Sequence, residues 1–180
     1  MGIFLIILSI VLWIMSLAAA CGRQIVAPAL SYLGLLLISF AKENGYQILP
    51  VNGTILTAWL CMSLVVTLTV VMQPEPVRRQ KRGCLYIAGG GLTGLAIGLL
   101  AYTFSSNIYV LYATMIVAVV AGVFFGFLLY TNTPDGRPVG IGSGNFFKYL
   151  LAKGFPTAIT VMQIGVALVL TIAMHSVHAL

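Results

Sequence analysis

Few residues in this 180-residue chain could do chemistry, and those few stand far apart. The acids are Glu43, Glu75 and Asp135, widely separated, so paired-carboxylate acid–base catalysis has no candidates. His175 and His178 are three apart and share a face of any helix, but two imidazoles without a third ligand make a poor metal site. Cys21, Cys61 and Cys84 form no CxxC or Cys/His zinc pattern. They are expected as small buried apolar residues, with no disulfide. Ser143, between Gly142 and Gly144, would need a base within hydrogen-bond reach to act as a nucleophile. The histidines are expected about a bilayer away from it. No catalytic, cofactor-binding or metal-binding residue is therefore assigned, and no cofactor is expected.

The stronger pattern concerns helix packing. Gly90, Gly94 and Gly98 recur at four-residue spacing, as do Ala118, Gly122 and Gly126. Residues four apart lie on one helical face, and losing their side chains lets two backbones approach closely. The two stripes are expected to face each other within a helical hairpin. Gly89-Gly90-Gly91 does not read as a dinucleotide loop, because no strand precedes it and no acid follows. Gln163, Thr67, Thr69, Thr93 and Thr160 remain as hydrogen-bonding groups inside apolar segments, suited to bridging helices.

Lipid is the solvent these elements demand. The chain is 61% hydrophobic and 7% charged, whereas a soluble domain is about a quarter charged because it must present a wet surface. The fold class expected is all-α: a single integral membrane domain over residues 1–180, a polytopic bundle of six spans. Their expected bounds are 3–20, 25–41, 54–72, 84–104, 109–130 and 157–175. The third, 19 residues long, would rise about 28 Å, close to the thickness of a hydrocarbon core. The first reads as a retained helix and not a cleaved signal, since Met1–Phe4 carries no Lys or Arg. Asn44-Gly45 and Pro50 mark a turn-rich polar loop after the second span. Asn52-Gly53-Thr54 matches a glycosylation sequon that abuts the membrane, and reads as a chance match.

Charge orients the spans. Arg78, Arg79, Lys81 and Arg82 form the densest basic run, and Lys and Arg are retained in cytoplasmic loops. With that loop inside, Arg23, Arg137, Lys148 and Lys153 also fall inside, and of the nine basic residues only Lys42 falls outside. Both termini then face outward, and Tyr102, Phe104, Tyr109 and Tyr112 form an interfacial aromatic belt. Asn145–Lys153 is expected as a short interfacial helix before the last span, ended by Gly154 and Pro156. Its Phe146, Phe147, Leu150 and Leu151 would face lipid, with Lys148 and Lys153, like the basic loop, meeting headgroups. Gly136–Gly144 is expected to be flexible and unpacked. The net charge of +6 is thus assigned to topology and lipid, not nucleic acid.

No transmembrane segment as bounded above contains Lys, Arg, Asp or Glu, the usual markers of ion pathways. The function expected is a non-catalytic membrane subunit or scaffold, in a bacterial inner membrane. Its partners would be the bilayer and other membrane subunits or further copies of itself. The alternative is a small channel or facilitator for a neutral or weakly charged solute. Short-then-long loops in each half motivate it, since inverted repeats recur in transporters.

Overall fold

Pro28 and the Asn-Gly, Gln-Pro and Asn-Thr-Pro breaks cut the apolar sequence into six long helices among the described residues. The computed structural model describes residues 2–22, 24–43, 46–47, 51–75, 83–100 and 107–178. The helices are α1 (Gly2–Gly22), α2 (Ala27–Phe40), α3 (Gly53–Val71), α4 (Cys84–Leu100), α5 (Ile108–Thr131) and α6. The last is continuous but irregular: α-helical at Phe146–Tyr149, π-helical at Leu150–Gly154, and α-helical again at Phe155–His178. A 3₁₀ turn, Arg137–Val139, precedes it. Arg23, Arg78, Arg79, Lys81, Arg82, Tyr102 and Phe104 lie outside the described residues, as do the side chains of His175 and His178.

Four apolar stretches, Gly2–Gly22, Gly53–Val71, Tyr109–Thr131 and Phe146–Leu170, are long enough to cross a membrane. They mark the chain as an integral membrane protein. The other two helices, of 14 and 17 residues, are shorter. Pro28 sets the start of α2, where a missing N–H costs nothing, and Ala41 turns extended. The resulting 14 residues rise about 21 Å, against a hydrocarbon core of about 30 Å. The extended stretch then pairs Lys42 with Gln47 and Glu43 with Tyr46 in a two-residue antiparallel ladder. It is a small exception to the helical fold.

The centre of the bundle is α6, which packs against all five other helices. Of its apolar window 83% is buried, compared with 22–33% in the other three. Around it stand two tight hairpins, α1–α2 and α4–α5, while α3 packs chiefly against α2 and α6. The third helices of the two halves thus occupy unlike places, one peripheral and one central. Each hairpin is closed by a missing side chain. Trp13 lies directly over Gly34, whose Cβ position its indole would fill. In α4–α5, methyl groups added to Gly90, Gly94, Gly122 or Gly126 would overlap backbone carbonyls of the facing helix. One on Gly98 would sit 2.6 Å from Met115 Cα.

Two local expectations are corrected. Asn145–Lys153 is not a separate interfacial helix, because Gly154 and Pro156 do not stop it. The Phe155 N–H donates to the Leu150 carbonyl five residues back, forming a wide turn just before the proline. Pro156 then falls in the first turn of the following α-helix, where its ring and missing N–H are tolerated. The second correction concerns residues 136–144. Val139 is buried, Gly136 packs against the Tyr130 carbonyl, and its N–H donates to Thr133. This segment is a folded series of turns.

Candidate functional site

The buried polar groups lie mainly along α6 and the helices that meet it. Lys153, Thr157, Thr160 and Gln163 are all buried, at spacings of four, three and three that hold them on one face of a helix. Thr157 Oγ1 donates to the Lys153 carbonyl and Thr160 Oγ1 to that of Pro156, so both hydroxyls are satisfied within the helix. Gln163 instead reaches outward in two directions. Its Oε1 accepts from Ser31 Oγ of α2, and its Nε2 donates to Ser63 Oγ of α3 at 2.7 Å. One amide therefore links three helices, and Trp13 Nε1 adds α1 by donating to the Ser31 carbonyl at 3.3 Å.

The other end of the face is a charge. Lys153 is 1% exposed, and its ammonium donates to Gln24 Oε1 at 2.5 Å. Gln24 is itself held, its Nε2 donating to the Ala20 carbonyl at the end of α1. Burying an ammonium costs several kcal/mol unless polar atoms replace its water, and the Gln24 amide supplies one such atom. Lys153 was expected at lipid headgroups. It is inside the protein instead: Phe146, Tyr149, Lys153 and Thr157, at spacings of three, four and four, share one buried face of the last helix. Lys148, ahead of the π turn, is exposed.

Cys21 stands near the end of α1 and Cys84 is the first residue of α4. Cys84 is buried and Cys21 half-buried, whereas Cys61 is exposed on α3. All three are free thiols. Phe127 stacks on Tyr149 with ring centroids 5.5 Å apart, and Tyr130 on Tyr149 at 5.8 Å. Phe146 packs on Phe127 at 5.0 Å, facing the core where lipid was expected.

A different surface lies between α3 and α5, floored by α6. It is an open cleft of about 560 Å³, with Trp59, Met62, Tyr112, Phe124, Phe155 and Met162 among its walls. The lining is almost wholly apolar. Its size falls in the range of small-molecule pockets, but it lacks the convergent polar groups that orient a polar ligand.

No family model, curated protein or solved structure matches this chain.

Of the residues singled out in sequence, the structure brings the two small-residue stripes together and seats Gln163 at a junction of helices. Thr160 is buried but bonded within its own helix, Thr67 and Thr69 are half-buried, and Thr93 is exposed. Ser143 Oγ is buried with no hydrogen-bond partner among the described residues. Sequence reasoning missed Gln24, Ser31, Ser63 and Trp13. Lone serines in apolar spans were the available signal for Ser31 and Ser63. Gln24, read as part of a connection, carried none.

Proposed function

We propose that this protein is a non-catalytic membrane subunit: a six-span scaffold whose cleft between α3 and α5 receives side chains from another membrane subunit or a second copy. Both ends of the chain lie outside, in a bacterial inner membrane, and the basic loop at Arg78–Arg82 faces the cytoplasm with Lys148. The observation that carries this reading is the contrast between centre and rim. The buried groups of α6 make their hydrogen bonds within the bundle, while the cleft is a gap in side-chain packing on a helical surface. Helices associate in lipid through close packing, so such a gap is a place where a neighbour gains contact.

A photo-crosslinking residue at Met62, Phe124 or Phe155 tests it in native membranes. Adducts of defined protein mass at all three positions are expected. Adducts to lipid alone would overturn the proposal.

The second reading, a channel or facilitator for a neutral solute, draws on the polar face Thr157–Thr160–Gln163. It ranks lower because the two threonines bond within their own helix and Gln163 bonds to α2 and α3, which leaves few free partners for a solute. Swelling of proteoliposomes in a small polyol, faster than in empty vesicles, would reverse the ranking.

A further inference from the structure

We propose that the π turn Leu150–Gly154 couples two sites: filling the cleft between α3 and α5 shifts this turn and frees Gln24, just beyond α1, from Lys153. The coupling rests on the subunit reading, in which a neighbour fills the cleft, and adds what that filling does to the bundle. One short turn serves both places. Leu150, Gly154 and Phe155 line the cleft. Lys153, within the same turn, is buried, and its ammonium donates to Gln24 Oε1 at 2.5 Å.

The cleft side of the turn is where a neighbour would push. The Phe155 N–H donates to the Leu150 carbonyl, and both residues stand in the cleft wall. A side chain entering the cleft therefore bears on both ends of the hydrogen bond that closes the turn. A π turn holds one residue more than an α turn between its bonded groups, and such single wide turns recur at functional sites. Tightening it to an α turn rotates the residues on one side against those on the other by about 100°, one residue's share of a helical turn. Gly154 supplies the slack. A methyl group there would stand 2.7 Å from Leu150 Cδ1 and 3.6 Å from Val123 Cγ1 of α5, so Leu150 occupies the space a side chain would take.

The far side of the turn cannot follow such a shift without losing its partner. Gln24 is pinned, its Nε2 donating to the Ala20 carbonyl at 3.0 Å. The Lys153–Gln24 bond is charge-assisted and short, and hydrogen bonds weaken steeply once distance and angle leave their ordinary range. Displacing Lys153 thus releases the end of α1, although α1 forms no part of the cleft.

The test uses the full chain, purified and diluted into phosphatidylcholine vesicles so that no neighbour is present, with Cys61→Ser and Cys84→Ser leaving Cys21 as the single thiol. Cys21 is half-buried three residues before Gln24, so its labelling rate with membrane-permeant N-ethylmaleimide reports whether the end of α1 is held. Val120→Trp puts an indole into the cleft from α5, and Ala58→Trp puts one in from α3. Val117→Trp, at an exposed position off the cleft wall, is the control. Labelling should rise at least about fivefold with either cleft tryptophan and stay within about twofold of the parent with the control, as local opening of one segment requires. Lys153→Met should raise labelling by itself and leave Val120→Trp without further effect. Unchanged labelling with both cleft tryptophans would overturn the proposal, as would a rise of the same size in the Lys153→Met chain. The occupant here is part of the chain, so this outcome is independent of the crosslinking at Met62, Phe124 and Phe155. Crosslinks to lipid alone would remove the subunit reading while the labelling still measured the coupling, and unchanged labelling beside protein crosslinks would remove the coupling alone.

Discussion

The side chain that most changes the reading of this protein is Lys153. Its burial leaves the Gln24 amide with a specific duty, since Oε1 of Gln24 faces the ammonium. Replacing Lys153 with Met keeps most of the volume but strands that oxygen, at a cost of about 1–3 kcal/mol. Gln24→Leu alone is expected to cost more, because it removes a ligand from a buried charge. The double variant Gln24→Leu/Lys153→Met should be more stable than the sum of the single losses predicts. Unfolding in mixed detergent–SDS micelles, run as a double-mutant cycle, checks the sign. Gln163 offers a milder case. Gln163→Leu removes two inter-helix bonds, but Ser31 and Ser63 keep backbone acceptors at Pro28 and Trp59. The expected loss is about 1–2 kcal/mol, in line with hydrogen bonds between helices in lipid.

At the scale of elements, the α4–α5 hairpin depends on absent atoms. A methyl group on Gly122 would meet the Gly90 carbonyl, whereas one on Gly89 meets nothing within 4 Å. Gly122→Val should therefore destabilise by about 1–3 kcal/mol, as overpacking does elsewhere. Gly89→Ala should be neutral or stabilising by up to about 1 kcal/mol, since alanine is the better helix former. The pair of variants, compared by thermal unfolding in one detergent, separates close packing from any general intolerance of glycine replacement. Equal losses at both positions would refute the packing account. This hairpin was legible from spacing alone, because a strict four-residue repeat of small residues has few uses in lipid. The π turn was not. Nothing in Leu150–Gly154 distinguishes a wide turn from a regular one.

For the whole molecule, the expected arrangement is six crossings with both ends outside and the basic loop in the cytoplasm. A fluorescent-protein reporter inserted at Arg79 should fluoresce, whereas an alkaline phosphatase fused to either terminus should be active. Phosphatase activity from the Arg79 insertion would overturn the orientation. So would termini found on opposite sides. The short α2 makes this test sharper, because its 14 residues need help from flanking segments to reach both interfaces.

Composition and apolar run length determined that this chain lives in lipid as a bundle of helices, because too few charged residues exist to wet any other fold. Small-residue spacing determined which two helices press together, since that contact is local to one hairpin. Only the tertiary structure decided that the last helix is the hub, that Gln163 ties three helices, and that Lys153 meets Gln24. The reason is that each of these depends on how distant segments rotate about their axes. Because the other helices enclose the last one, a lysine on it ends in the core and not at the membrane surface.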